Sequence, residues 1–293
     1  MDKMELKVKN LVKCYGDVCA LDHVSFQLHN GIYALLGPNG AGKSTLINVL
    51  CTLLKQEEGE VCFNGESIQT CKKEYLKHIG YMPQEHCLYE EFTLQDFLYY
   101  IGDLKGMKLS EIKSQSMQLV KKVKLEEVFH KKIKGFSGGM KQRAMLCVAL
   151  MNDPDLLILD EPSAGLDPLK RIEMQKLIAE LGKGKIILIA THVVSDVESI
   201  ADEFLILKKG KLLMKESREQ LIARLEHKVK EFRVEEQEYK QMKEQYRISN
   251  VHYDGIKMLI RVIDPADEEK GSYVNPNISD VYFYIFDEEH VEV

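Results

Sequence analysis

Residues Gly37 to Thr45 read GPNGAGKST, and the fold follows from how that stretch is read. The spacing G-x-x-x-x-G-K-[ST] is a phosphate-binding loop. Glycines at 37, 40 and 42 let the backbone bend and approach an anion closely. Backbone N–H groups then turn inward around phosphate oxygens, and the helix starting near Lys43 adds its positive N-terminal end. Lys43 is placed to reach the β and γ phosphates, and the Ser44 hydroxyl to bind magnesium. Gly37, Pro38, Asn39, Gly40, Ala41, Gly42, Lys43, Ser44 and Thr45 are thus the first candidate nucleotide residues.

The motif needs a strand before it and a helix after it. Ile32 to Leu36 is a short apolar run of the buried-strand type, and Leu46 to Leu54 reads as an apolar-rich helix. Further strands are expected at Leu6 to Val12, as an edge strand, and at Ser25–Leu28, Gly59–Asn64 and Ile79–Met82. Three more follow at Leu156–Leu159, Ile186–Ala190 and Phe204–Leu207. Residues 90–132 change to helical spacing, as at Phe92, Leu94, Phe97 and Leu98. Strands alternating with helices predict an α/β fold on a parallel sheet covered on both faces.

A second cluster stands at Leu156 to Pro162, LLILDEP. An apolar strand ending in Asp160 and Glu161 puts two carboxylates at the carboxyl edge of a parallel sheet, where such sheets bind ligands. Asp160 suits the orientation of Mg²⁺, and Glu161 the polarisation of an attacking water. A third stretch, FSGGMKQR at Phe136 to Arg143, offers Ser137, Gly138 and Gly139 ahead of a helix. That is another small nest of N–H groups with a helix dipole behind it. One nucleotide rarely needs two cradles in one chain, whereas a dimer sharing ATP between subunits does.

Composition narrows the alternatives. The chain has 293 residues, 45% hydrophobic and 29% charged, which suits a soluble large domain plus a smaller one. No apolar stretch approaches the roughly 20 residues that cross a bilayer as a helix, and the charged N-terminus lacks a signal-peptide core. A net charge of −6 argues against a nucleic-acid binder. The seven cysteines contain no C-x-x-C pair. Cys14 and Cys19 flank a turn without completing a metal set, so reduced thiols are expected.

Together these stretches resemble the ATP-binding cassette (ABC) ATPases, from residue 4 to about 215. The resemblance implies a P-loop cassette with a mixed sheet core and a helical subdomain, inserted at about 88–150. It casts Tyr15 as the aromatic that stacks on adenine and Gly37–Thr45 as the Walker A loop. Gln84 becomes the glutamine that senses Mg²⁺ and water and couples to the membrane domain. Phe136–Met140 correspond to the LSGGQ signature, Asp160 and Glu161 to Walker B, and Asp167 to the D-loop that closes SAGLD. His192 corresponds to the switch histidine at the γ-phosphate. The implied ligands are ATP and Mg²⁺, the metal being held by Ser44, Gln84 and Asp160. The implied partners are a second copy or a paralogue, sandwiching two ATP, and transmembrane permease subunits. The site would lie on the cytoplasmic side of the cell membrane. Phe136 and Met140 depart from the usual Leu and Gln, and SGGM followed by basic residues resembles the drug, lantibiotic and bacitracin exporter branch. Rival readings are a translation or DNA-repair ATPase of the same family, or a sensor or immunity ATPase. A single cassette without sustained heptads speaks against the first.

From Lys230 onward there are 8 basic and 15 acidic residues. That shift predicts a boundary, giving a cassette at 1–216 and a small α/β accessory domain at 217–293. Lys230–Tyr239 and Ile248–Ile263 read as strands, and Glu238–Arg247 as a helix between them. Asp264 to Pro276 reads as a loop containing the acidic run Asp267–Glu269. Asn277 caps a last helix, with Asp280 in the capping-box position. Its segment VYFYIF, Val281–Phe286, is expected to cover the small sheet. A surface for a protein or a membrane is the other reading.

Overall fold

The computed structural model describes residues 4–85, 87–255, 257–265 and 271–287. The chain divides into two compact units after Lys215.

The first unit is built on two sheets. The larger has six strands, and four of its pairings set the site. Strand β3 (Gly31–Leu36) runs parallel to both β8 (Ile186–Thr191) and β9 (Glu203–Lys208). Strand β7 (Leu156–Asp160) is parallel to β8 and to β6 (Ile79–Met82). Strand β10 (Lys211–Ser217) follows β9 through Lys209-Gly210, both at positive φ, and completes the order β10-β9-β3-β8-β7-β6. Every residue of β7 and β8 is buried. Central parallel strands covered on both faces read as unbroken apolar runs, as LLIL and IILIA do.

The second sheet is antiparallel, with the order β2-β1-β4-β5. It comprises β1 (Leu6–Tyr15), β2 (Val18–Leu28), β4 (Glu58–Phe63) and β5 (Glu66–Ser67). Strand β1 is therefore interior, with β2 on one side and β4 on the other, and is no edge strand. Register shifts after Val8 and Leu11 break its alternation, with Asn10 at φ 47°. An irregular pattern of this sort reads as an edge in sequence although both sides are paired.

The β1–β2 hairpin also corrects the expectation for the thiols. The turn Tyr15-Gly16-Asp17-Val18 sets Cys14 directly opposite Cys19, and the two form a disulfide. The other five cysteines are free.

Helix α1 (Lys43–Leu50) is shorter than the sequence implied, because the chain leaves the helix at Cys51 and Thr52 takes φ 56°. Helix α2 (Lys72–His78) leads into β6. The helical insertion is three helices, α3 (Leu94–Leu104), α4 (Leu109–Lys122) and α5 (Gly138–Leu150), packed on one another. Thr93 caps α3 by accepting the Asp96 N–H. Helix α6 (Pro168–Leu181) carries proline at its first position, where the missing N–H costs nothing.

The second unit opens with α7 (Arg218–Ala223) and holds a four-stranded sheet, ordered β12-β13-β11-β14. The expected strand to Tyr239 stops early: β11 spans Val229–Val234 and α8 Glu236–Gln245. The expected strand over 248–263 is a hairpin of β12 (Arg247–Asp254) and β13 (Lys257–Ile263), turning at Asp254-Gly255 with Gly255 at φ 66°. Within the expected loop, Ser272–Tyr273 form β14 against β11. The acidic run Asp267–Glu269 lies outside the described residues. Phe232, Val234, Met258, Ile260 and Val262 form this unit's core with Met242 of α8. Helix α9 (Ile278–Phe286) begins with the anticipated capping box of Asn277 and Asp280 and packs on β12 and α7. Ile278 and Val281 are buried there, while Phe283 is exposed.

Candidate nucleotide site

The carboxyl ends of β3, β7 and β8 open onto one cleft. Lining it are residues 38–45, Ala20, Gln84, Asp160, Glu161 and His192. The first two motifs, the glutamine and the histidine, far apart in sequence, are therefore brought together.

The loop is shaped by two glycines. A Cβ on Gly37 would lie 2.3 Å from the Leu207 carbonyl oxygen, and one on Gly42 2.3 Å from that of Ala20. Gly42 also takes φ 107°, a left-handed value that side chains rarely adopt. No side chain caps α1, so the N–H groups of its first turn, at Lys43, Ser44 and Thr45, remain donors for an anion in the cleft. Lys43 donates from Nζ to the carbonyls of Gly37, at 2.5 Å, and Pro38, at 3.1 Å. Burial holds its ammonium below the ordinary lysine range, against the opposing charges of Glu161 and Asp160. These features fit a polyphosphate: a cradle open at the glycines, uncapped donors, and a cation already poised over the loop.

Asp160 ends β7 and is buried. Burial, then the neighbouring Glu161 charge, pushes its carboxyl up to about 6, with Lys43 opposing the rise. A carboxylate held against such costs gains from a cation beside it, which suits Mg²⁺ shared with the Ser44 hydroxyl and Gln84. Among the described residues no cluster of three or more His, Cys, Asp or Glu forms a metal cage. Mg²⁺ needs no such cage, since it is commonly held by a few protein oxygens together with substrate phosphates.

Glu161 sits beyond the strand end at φ 50°, an unfavourable region for a side-chain-bearing residue. Its N–H donates to the Ala190 carbonyl at 2.9 Å. One carboxylate oxygen, Oε1, accepts from the His192 N–H at 3.0 Å and meets His192 Nδ1 at 2.6 Å. The other, Oε2, accepts from the Thr191 hydroxyl at 2.9 Å. Glu161 is buried, whereas the His192 ring is half exposed. A fixed buried carboxylate beside a half-exposed imidazole, at the mouth of a phosphate cleft, can accept a proton from water.

Tyr15, Ser137, Gly138, Gly139 and Asp167 are not brought to this cleft. Tyr15 stands exposed at the hairpin tip, with Lys13 Nζ 5.6 Å from its ring centre. Ser137 is the N-cap of α5, accepting the Met140 N–H at 3.3 Å. Asp167 is the N-cap of α6; it accepts the Lys170 N–H at 3.0 Å and pairs with the Lys170 ammonium at 2.9 Å. That ammonium holds the Asp167 carboxyl below the usual range. Two contributors escaped sequence reading. Ala20 is an ordinary residue placed by strand pairing alone. Thr191 stood beside the histidine in ATH, and only its buried contact with Glu161 distinguishes it.

The ABC transporter family pattern matches residues 21–164. YxlF of Bacillus subtilis, an uncharacterized ABC transporter ATP-binding protein, is 39% identical over 211 residues, covering 72% of this chain and 70% of that protein. The lantibiotic transport ATP-binding protein SrtF of Streptococcus pyogenes is 36% identical over 211 residues, covering 71% and 89%. A solved dimeric ATP-binding cassette, MJ0796 bound to ADP and Pi, superposes with a TM-score of 0.65 at 26% identity, over 72% of this chain and 98% of that one. Identity at this level across more than two thirds of the chain, on a cleft built from the nucleotide motifs, makes the chain a member of the ATP-binding proteins of ABC transporters.

Proposed function

We propose that the chain hydrolyses ATP to ADP and phosphate as one half of a paired ATPase that powers an exporter. The membrane-spanning permease would be a separate polypeptide, with this chain on its cytoplasmic side. The observation that carries the reading is the Glu161 carboxylate, held by Thr191 and His192 in the same cleft as the phosphate loop.

The loop N–H groups and the first turn of α1 bind the phosphates. Lys43 exchanges the Gly37 and Pro38 carbonyls for the β and γ oxygens. Mg²⁺, held by Ser44, Gln84 and Asp160, would supply positive charge to those oxygens. Glu161 takes a proton from the water that attacks the γ-phosphorus, and His192 steadies the γ-phosphate. Tyr15 packs on the adenine. Ser137, Gly138 and Gly139 of a second copy or a paralogue, with its D-loop Asp167, close over the nucleotide, so that two ATP molecules are sandwiched. This accounts for their lying outside the cleft of a single chain. No helix among the described residues is long and apolar enough to cross a membrane; in this reading the permease supplies the transport path. Kinship with the lantibiotic transport protein SrtF and the SGGM form of the signature favour a drug, peptide or lipid-like substrate.

Phosphate release by the full chain tests the chemistry. Glu161→Gln is expected to lower turnover about 10²-fold or more while ATP still binds; near-wild-type turnover overturns the assignment. For the exporter, the copurifying membrane protein is reconstituted with the chain in vesicles. ATP-dependent movement of a drug, peptide or lipid-like probe away from the ATPase side is expected, and movement in the opposite sense refutes export.

A further inference from the structure

The hydrogen bonds around Glu161 converge on Thr191. Thr191 ends β8, and its side chain is buried. Its hydroxyl accepts the Val193 N–H at 3.0 Å. With a lone pair so engaged, the single hydroxyl hydrogen is directed to Glu161 Oε2, 2.9 Å away. Of the two contacts on Oε1, one is the His192 backbone N–H, fixed by the chain, and the other is His192 Nδ1, on a ring that is half exposed. Thr191 is the side chain on this carboxylate that is itself locked, by burial and by the backbone that follows it. Glu161 needs such an anchor: its left-handed backbone sets where the side chain starts, and its own torsions decide where the carboxylate ends.

We propose that Thr191 is the positioning residue for Glu161, fixing Oε2 so that Oε1 alone is presented to the attacking water when His192 turns to the γ-phosphate. The proposal rests on the reading of Glu161 as the base. Thr191 does not line the nucleotide cleft and acts through Glu161.

The test is steady-state phosphate release from MgATP by the full chain. Thr191→Val keeps the shape and removes the donor. A hydrogen bond to a charged group is at stake, so kcat is expected to fall about tenfold to a hundredfold. The KM for ATP and the affinity for ADP should be unchanged, since the phosphate loop is untouched. Thr191→Ser should restore kcat to within a few-fold. In a Glu161→Gln background, Thr191→Val should have no further effect. An unchanged kcat in Thr191→Val, with Glu161→Gln slow, overturns this proposal and leaves the base assignment standing. A loss shared equally by KM and kcat, or one that serine fails to rescue, assigns Thr191 to packing and likewise overturns it. Wild-type turnover in Glu161→Gln overturns both.

Discussion

Asp280 offers a sharp test of whether the small C-terminal unit stands by itself. It is 1% exposed on α9, and its carboxylate accepts four hydrogen bonds. Two come from Arg261, at 3.2 Å and 2.7 Å, one from the Ser249 hydroxyl at 2.5 Å, and one from the Asn277 N–H at 2.9 Å. These bonds join α9 to β12 and β13. Asp280→Asn keeps the size and one acceptor oxygen but leaves the guanidinium without its nearest charge. Breaking a buried pair costs about 3–5 kcal/mol. Here Arg261 retains Glu231 at 3.2 Å and the Asn275 carbonyl at 2.7 Å, so the lower end, about 3 kcal/mol, is expected. A unit of 78 residues has about 4–12 kcal/mol of stability in all, so it should remain folded yet open about a hundredfold more often. Hydrogen exchange read by mass spectrometry should show that rise across β12, β13 and α9, with residues 37–45 unchanged and ATP affinity intact by calorimetry. Equal acceleration at residues 37–45 would show that the two units unfold as one. No acceleration in β12 and β13 would show that the cluster does not hold the sheet.

Ser137→Arg should leave the ATP affinity of the single chain largely intact and abolish ATP-dependent dimerisation; normal dimerisation on size exclusion would refute a shared site. Tyr15→Ala should weaken ATP, ADP and GTP together by about 1–3 kcal/mol, and an unchanged calorimetric affinity would leave Tyr15 to packing at the hairpin. Lys105 gives a pH prediction. Burial lowers its ammonium to about 8, with Nζ donating to the Met151 carbonyl at 2.8 Å. The folded chain thus loses this proton before the unfolded chain does, so stability from this group rises as pH goes from about 8 to about 10.5. The stability difference between wild type and Lys105→Met should therefore shift toward wild type by up to about 3 kcal/mol over that range, measured by urea unfolding. A difference that stays flat with pH would contradict the reasoning.

Local chemistry explains what was legible in the sequence. The phosphate loop depends on glycines whose backbone needs are local, and the buried strands Leu156–Asp160 and Ile186–Thr191 announce themselves as unbroken apolar runs. The cap at Asn277 with Asp280 is likewise a contact within four residues. The errors arose where strand pairing and register decide. Strand β1 has neighbours on both sides despite its broken alternation. The segment 248–263 folds back at Asp254-Gly255 because β13 pairs with both β11 and β12. The Cys14–Cys19 disulfide follows from hairpin register, which composition does not report.

By itself the sequence marked the candidate nucleotide residues: which glycines could cradle phosphate, which carboxylates end a buried strand, and where the acidic tail begins. Spacing along the chain suffices for this because each motif is a local backbone shape. Only the tertiary structure decided which motifs share a cleft. It brought Gln84, Asp160, Glu161 and His192 to the loop at residues 38–45 and left Ser137 and Asp167 capping helices elsewhere. It also gave Thr191 its place on the Glu161 carboxylate. Such meetings depend on the order and register of parallel strands, set by burial summed over the whole sheet.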